Sequence, residues 1–134
     1  MKIICMLLGF AFTGFSQVVI ITNKSNDVKQ ISYIDLLLIY KSKLKKWPNG
    51  LKIKVTDFDE STEVKKEFYK KIRRTPQSIK NIWLRKRLLG EAKLPKNFTS
   101  EDEMLHYISK TPGAIGYISK AKVTGKVKVL YELN

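Results

Sequence analysis

Residues 111–118 read TPGAIGYI, and this stretch decides the fold class. Thr111-Pro112-Gly113 is turn chemistry. Ala114 to Ile118 is then a short apolar run, of the length and bounding expected for a strand. Gly116 inside it marks a place where a neighbouring group comes close to the backbone. A second such run, Val18-Val19-Ile20-Ile21, lies almost a hundred residues earlier. It is β-branched and uninterrupted, which predicts a strand buried on both faces.

Helical periodicity fills much of the interval. Ser32 with Asp35 three residues later is an N-terminal capping pattern. Ile31, Ile34, Leu37 and Leu38 fall on one face of the helix that follows, and Leu36, Ile39 and Tyr40 widen it. Lys41 to Gly50 is a basic loop closed by Trp47-Pro48-Asn49-Gly50. Leu51, Ile53 and Val55 alternate with polar residues, which predicts a strand with one wetter face. Asp57 to Glu60 reads as an acidic turn. Val64, Phe68 and Ile72 then recur at helical spacing. Thr75-Pro76 opens a further helix, with Thr75 as cap and Pro76 at its first position. Ile79, Ile82, Trp83, Leu88 and Leu89 are its expected buried side, and Gly90 its stop. Lys93 to Asn97 reads as loop. Ser100 and Glu103 form a second capping box before Met104, Leu105, Tyr107 and Ile108. Val127, Val129 and Tyr131 alternate in a last strand, expected near a sheet edge.

The resulting order is β, α, β, α, α, α, β, β. It predicts an α/β domain with a mixed, mostly parallel sheet flanked by helices on both faces. Ligands on such sheets sit beyond the carboxyl ends of strands, where helix N-termini point. On that rule the expected binding edge gathers Thr22 to Asn26, Asp57 to Thr62 and Ser119.

The N-terminus reads differently from the rest. Met1-Lys2 is a positive start, Ile3 to Phe15 is almost wholly apolar, and Gly14-Phe15-Ser16 supplies small residues at a cleavage site. This layout predicts a secretory signal peptide over residues 1–16, cut after Ser16, and a single domain over 17–134 in the periplasm or outside the cell. The apolar run is shorter than the ~20 residues that span a bilayer, so the cleaved chain is not expected to be an integral membrane protein. Cys5 leaves with the leader. The exported chain then has no cysteine for a disulfide, a thiol nucleophile or a Cys-ligated metal.

The 26 Lys+Arg against 12 Asp+Glu give a formal net charge of +14, a surface that attracts anions without choosing among them. Few residues suggest catalysis. The one histidine, His106, has no Cys or second His to join it as a metal ligand. There is no Gly-rich phosphate loop and no nucleophile elbow. Asp57, Asp59 and Glu60 could act as acid and base or hold a hard cation. They lack calcium-loop spacing, and read more simply as a turn and capping cluster before a helix. Lys43-Leu44-Lys45-Lys46-Trp47 and Arg85-Lys86-Arg87 mix cations with apolar groups, but no nucleic-acid module surrounds them and export removes the chain from nucleic acid. The residues therefore point to a non-enzymatic domain without metal or cofactor.

Three segments together carry a family resemblance: ISYIDLLLIYKSKLKKWPNG (31–50), IKVTDFDESTEVKKEF (53–68) and TPGAIGYI (111–118). The chain resembles the periplasmic substrate-binding proteins of phosphate ABC importers, and more closely their short, single-lobe relatives. The resemblance covers essentially residues 17–134. It implies one lobe of a type II periplasmic-binding-protein fold. In full-length members an Arg and a Ser-Gly-Thr at a helix start hold phosphate. Here Ser61 matches that Ser, Thr62 and Glu63 replace the Gly and Thr, Asp57 stands at the place of the Arg, and Ser42 replaces a Gly before Lys43. The implied partners are a small anion such as phosphate and an envelope protein or membrane permease. The expected ligand residues are Asn23, Ser25, Ser61, Thr62 and Ser119. The alternative is a basic cell-envelope interaction module that meets anionic glycolipid or an acidic partner protein and has no small-ligand transport role.

Overall fold

A computed structural model describes residues 17–59 and 62–134. The expected signal peptide, and Glu60 and Ser61, lie outside the described residues. The elements in order are β1 (Val18–Asn23), α1 (Tyr33–Tyr40), β2 (Lys54–Phe58), α2 (Glu63–Ile72), α3 (Pro76–Leu88), β3 (Lys96–Phe98), α4 (Glu101–Lys110), β4 (Ala114–Ser119), a short 3-10 turn (Lys120–Lys122) and β5 (Val127–Leu133).

The five strands form one sheet in the order β3-β2-β4-β1-β5. β2 runs parallel to both β3 and β4, whereas β1 is antiparallel to β4 and to β5. Four strands therefore point one way and β1 alone is reversed, so the sheet is mixed and mostly parallel. The apolar run in β1 fits its interior place, with Val18, Val19, Ile20 and Ile21 all at 0% exposure. β5 forms one edge, as expected.

Helices cover both faces. Successive strand side chains point to opposite faces, and neighbouring residues of β4 meet different helices. Tyr117 stacks on Phe68 of α2, with ring centroids 3.8 Å apart. A Cβ placed on Gly116 would lie 2.6 Å from Met104 and Ile108 of α4, and 2.5 Å from Thr56 Oγ1. Only glycine leaves room there. Gly113 is constrained twice: its φ is +80°, and a Cβ would meet the Lys52 carbonyl at 2.4 Å.

The expected caps form. Ser32, Thr75 and Ser100 accept from the backbone N–H of Asp35, Ser78 and Glu103.

Four expectations need correction. The second strand begins at Lys54, because Leu51 to Ile53 pairs back on the basic loop instead: Lys52 forms an isolated antiparallel bridge with Lys46, the Leu51 carbonyl accepts from the Trp47 N–H, and the Ile53 N–H donates to the Lys45 carbonyl. It also runs on through Asp57 and Phe58, which are strand and not turn. Lys96 and Asn97, expected as loop, pair with β2 together with Phe98 as β3. On α1 the buried residues are Leu36, Ile39 and Tyr40, while Ile34 is exposed; on α3 Leu88 and Leu89 are exposed, at 83% and 64%. α1 is apolar around much of its circumference and the few apolar residues of α3 are spread around it, so spacing alone did not say which side meets the sheet.

Candidate functional site

The carboxyl end of β2 brings the chain's chemistry together. Asp57 is buried there. Its Oδ1 accepts from the Tyr117 hydroxyl and from the Phe58 N–H, and its Oδ2 accepts from the Tyr69 hydroxyl at 2.5 Å. Three donors from β4, α2 and the strand itself thus replace the water a carboxylate would otherwise hold. Burial first, and the negative charge of Asp57 second, push the hydroxyls of Tyr69 and Tyr117 well above the ordinary tyrosine pKa. Tyr40 is raised for the same two reasons, and its hydroxyl donates to the Thr56 carbonyl at 3.0 Å. The group is a set of proton holders, with its acceptor and donors mutually satisfied.

Beside it opens a cleft of about 270 Å³, lined in part by Asp57, Asp59, Lys65, Tyr69, Lys80 and Asn97. Lys65 is buried, and its Nζ donates to the Phe58 carbonyl at 2.7 Å. It lies 5.8 Å from the Tyr69 ring centroid, a cation–π distance. Among the described residues no carboxylate lies within 4.0 Å of this ammonium. A buried cation held by one carbonyl is an attractive point for an anion.

The expected ligand residues do not converge as a set. β1 is antiparallel to β4, with Val18 opposite Ser119 and Thr22 opposite Ile115. Asn23 and Ser25 therefore sit at the far end of the sheet from Ser119, roughly 17 Å away at ~3.4 Å per strand residue. The sequence rule of strand carboxyl ends placed them wrongly because the reversed β1 delivers its carboxyl end to the other side. They are also engaged. The Asn23 amide donates to the Ile108 carbonyl at 2.8 Å, and its Oδ1 accepts from both the Ser25 N–H and the Ser25 hydroxyl. That is a closed turn motif.

Thr62 and Ser119 do share the β2 end of the sheet, and they differ in state. Thr62 is the N-cap of α2, makes no side-chain capping bond, and donates its hydroxyl to the Asp59 carbonyl at 3.2 Å. Ser119 gives its N–H and its hydroxyl to the Glu101 carboxylate, at 2.5 and 2.7 Å. An anion would have to displace that carboxylate. Ser61 lies outside the described residues.

Sequence reading missed Lys65. A signal was present: Lys65, Tyr69 and Ile72 form a second helical column beside Val64, Phe68 and Ile72, and a lysine in a buried column is rarely idle.

The likeness to solved structures covers 87% of this chain in each case. One is an ABC-type phosphate transport receptor from Vibrio cholerae, at 21% identity and a TM-score of 0.70 over 46% of its own length. Another is a phosphate ABC transporter substrate-binding protein with bound phosphate from Clostridium perfringens, described as putative, at 18% identity and 0.71 over 44% of its length. PstS from Borrelia burgdorferi gives 18% and 0.67 over 47%. The chain shares the fold of phosphate-transport receptors. It spans a little under half the length of these three structures. At such identities the likeness establishes the architecture and leaves ligand residues to be argued from this chain. No protein-family model and no curated protein matches the sequence. Among the described residues no helix is long and apolar enough to cross a membrane.

Proposed function

We propose that the chain is an exported, non-enzymatic binding domain, one lobe of the phosphate-receptor type, that takes a small oxyanion of the phosphate class at the carboxyl end of β2. The observation that carries the reading is Lys65, a buried ammonium facing a cleft with a carbonyl as its bonded partner. It restores a cation near the place where Asp57 stands instead of the arginine expected from the resemblance. The receptor fold supports a binding role over a catalytic one. A permease in the membrane is the corresponding partner.

Asp57 and Asp59 share the cleft with Lys65 and Lys80, so the field is mixed. That mixture weakens capture, and an affinity on the order of millimolar is expected, about 4 kcal/mol. Calorimetry with phosphate on the purified protein tests this, alongside Lys65→Met. Heat that disappears in the variant supports the reading. Absence of heat and of any thermal shift at millimolar phosphate removes the oxyanion role and leaves the fold. Mass spectrometry of the N-terminus from native cells tests export: a chain starting at Gln17 supports it, and one starting at Met1 removes it.

A further inference from the structure

A second concavity, about 300 Å³, lies on the other side of Trp83 and Leu94, which line both clefts. Two stretches build it: residues 42–55, running from the basic loop into β2, and residues 91–96, leading into β3. Its lining carries Lys45, Lys52, Lys54, Lys93 and Lys96 against one acid, Glu91. All five lysines are exposed. None of them is in an ion pair among the described residues. Two are held in place without losing their charge: Lys45 donates to the Glu91 carbonyl at 3.2 Å, and Lys96 Nζ sits 4.7 Å from the Tyr107 ring centroid. Apolar side chains share the lining: Ile53 and Trp83 are buried, and Leu94 is partly exposed.

We infer that this groove is a docking site for an extended acidic segment of a partner protein, with apolar side chains set between its carboxylates. The charge is complementary, and a ring of like charges with no internal counter-ion is relieved by a partner that supplies carboxylates. The shape separates a chain from a surface. The cations share a concavity with apolar side chains, which a strand-like segment fills by alternating its own side chains inward and outward along its length. A flat bilayer does not enter a concavity and leaves its apolar lining uncovered. A second copy of this chain carries +14 and is repelled. The inference goes beyond the oxyanion reading and stands without it, because its cations are different residues.

The test is anisotropy of a labelled peptide that alternates glutamate and leucine, titrated with the purified protein. Lys52→Glu/Lys96→Glu reverses two groove charges, both exposed, so folding is checked by an unchanged thermal midpoint. Lys29→Glu/Lys126→Glu makes the same change in net charge at exposed positions outside the groove. Weakening by roughly tenfold or more in the groove variant alone supports the inference. Equal weakening in both variants shows that net charge attracts the peptide without a site, and overturns it. So does phosphatidylglycerol vesicle binding that displaces the peptide. Phosphate calorimetry on the groove variant should be unchanged from wild type. If phosphate binding is absent from both while peptide binding is local, the oxyanion reading fails and this one survives.

Discussion

Asp57 is a carboxylate removed from water and given three donors, two of them tyrosine hydroxyls that burial itself keeps protonated. Each side of that arrangement depends on the other. Loss of a hydroxyl leaves a buried charge short of a partner, and hydrogen bonds to charged groups are worth about 1.5–3 kcal/mol. Tyr69→Phe is therefore expected to lower the unfolding free energy by about that amount, measured by urea titration at neutral pH. The pH dependence follows from the raised tyrosines. Below the unfolded-state pKa of about 10 the phenols are neutral in both states and the stability is fully present. Above it the unfolded chain releases protons that the folded chain retains, so stability falls as pH rises. The slope is about 1.4 kcal/mol per pH unit for each such tyrosine. Between pH ~9 and ~11, where the unfolded phenol titrates, the Tyr69→Phe curve should fall less steeply than wild type by about 0.7 kcal/mol per pH unit on average, approaching the full slope only above that range. Parallel curves would show that Tyr69 ionises as readily folded as unfolded.

At the scale of elements, β4 is the strand on which both helical layers bear, and Gly116 is its narrowest point. Gly116→Ala forces a methyl against Thr56 Oγ1, Met104 and Ile108 at distances no real Cβ tolerates. Met104 and Ile108 can turn aside, but the Thr56 hydroxyl is fixed by its bond to the Ile115 carbonyl at 2.7 Å. Overpacking of this kind costs about 1–3 kcal/mol, and differential scanning calorimetry should show the midpoint lowered accordingly. An unchanged midpoint would mean α4 slides on the sheet without penalty. The importance of this glycine was legible in the sequence, as were the three capped helix starts, because each depends on chemistry within a few residues. β3 was not legible. Lys96-Asn97-Phe98 has no apolar pattern, and it is a strand only because β2 offers Thr56 to Phe58 as a parallel partner. The reversal of β1 was hidden for the same reason: strand direction is a property of pairing, and it alone moved Asn23 and Ser25 away from Thr62 and Ser119. Lys65 was legible in part, through the buried column it shares with Tyr69 and Ile72, but only the fold shows that the column ends at a cleft.

For the molecule as a whole, the dominant electrostatic fact is a net charge of +14 with few internal pairs. The three ion pairs found among the described residues, Lys66–Glu63, Lys120–Glu132 and Lys122–Asp102, are all largely exposed and contribute little. Self-repulsion therefore works against the compact state, and salt should relieve it. The Debye length falls from about 30 Å at 0.01 M to about 3 Å at 1 M, so the thermal midpoint should rise with sodium chloride, by about 4 °C for each kcal/mol recovered. Phosphate at the same ionic strength separates this general screening from a specific site. A ligand that binds only the folded state at ten times its dissociation constant adds about 1.4 kcal/mol beyond screening. Phosphate also strengthens apolar burial in any protein, so the excess over chloride has to be compared between wild type and Lys65→Met. An excess confined to wild type places the oxyanion at the carboxyl end of β2. An excess of the same size in both assigns phosphate the role of a stabilising salt, and the cleft beside Lys65 then has no claim on it.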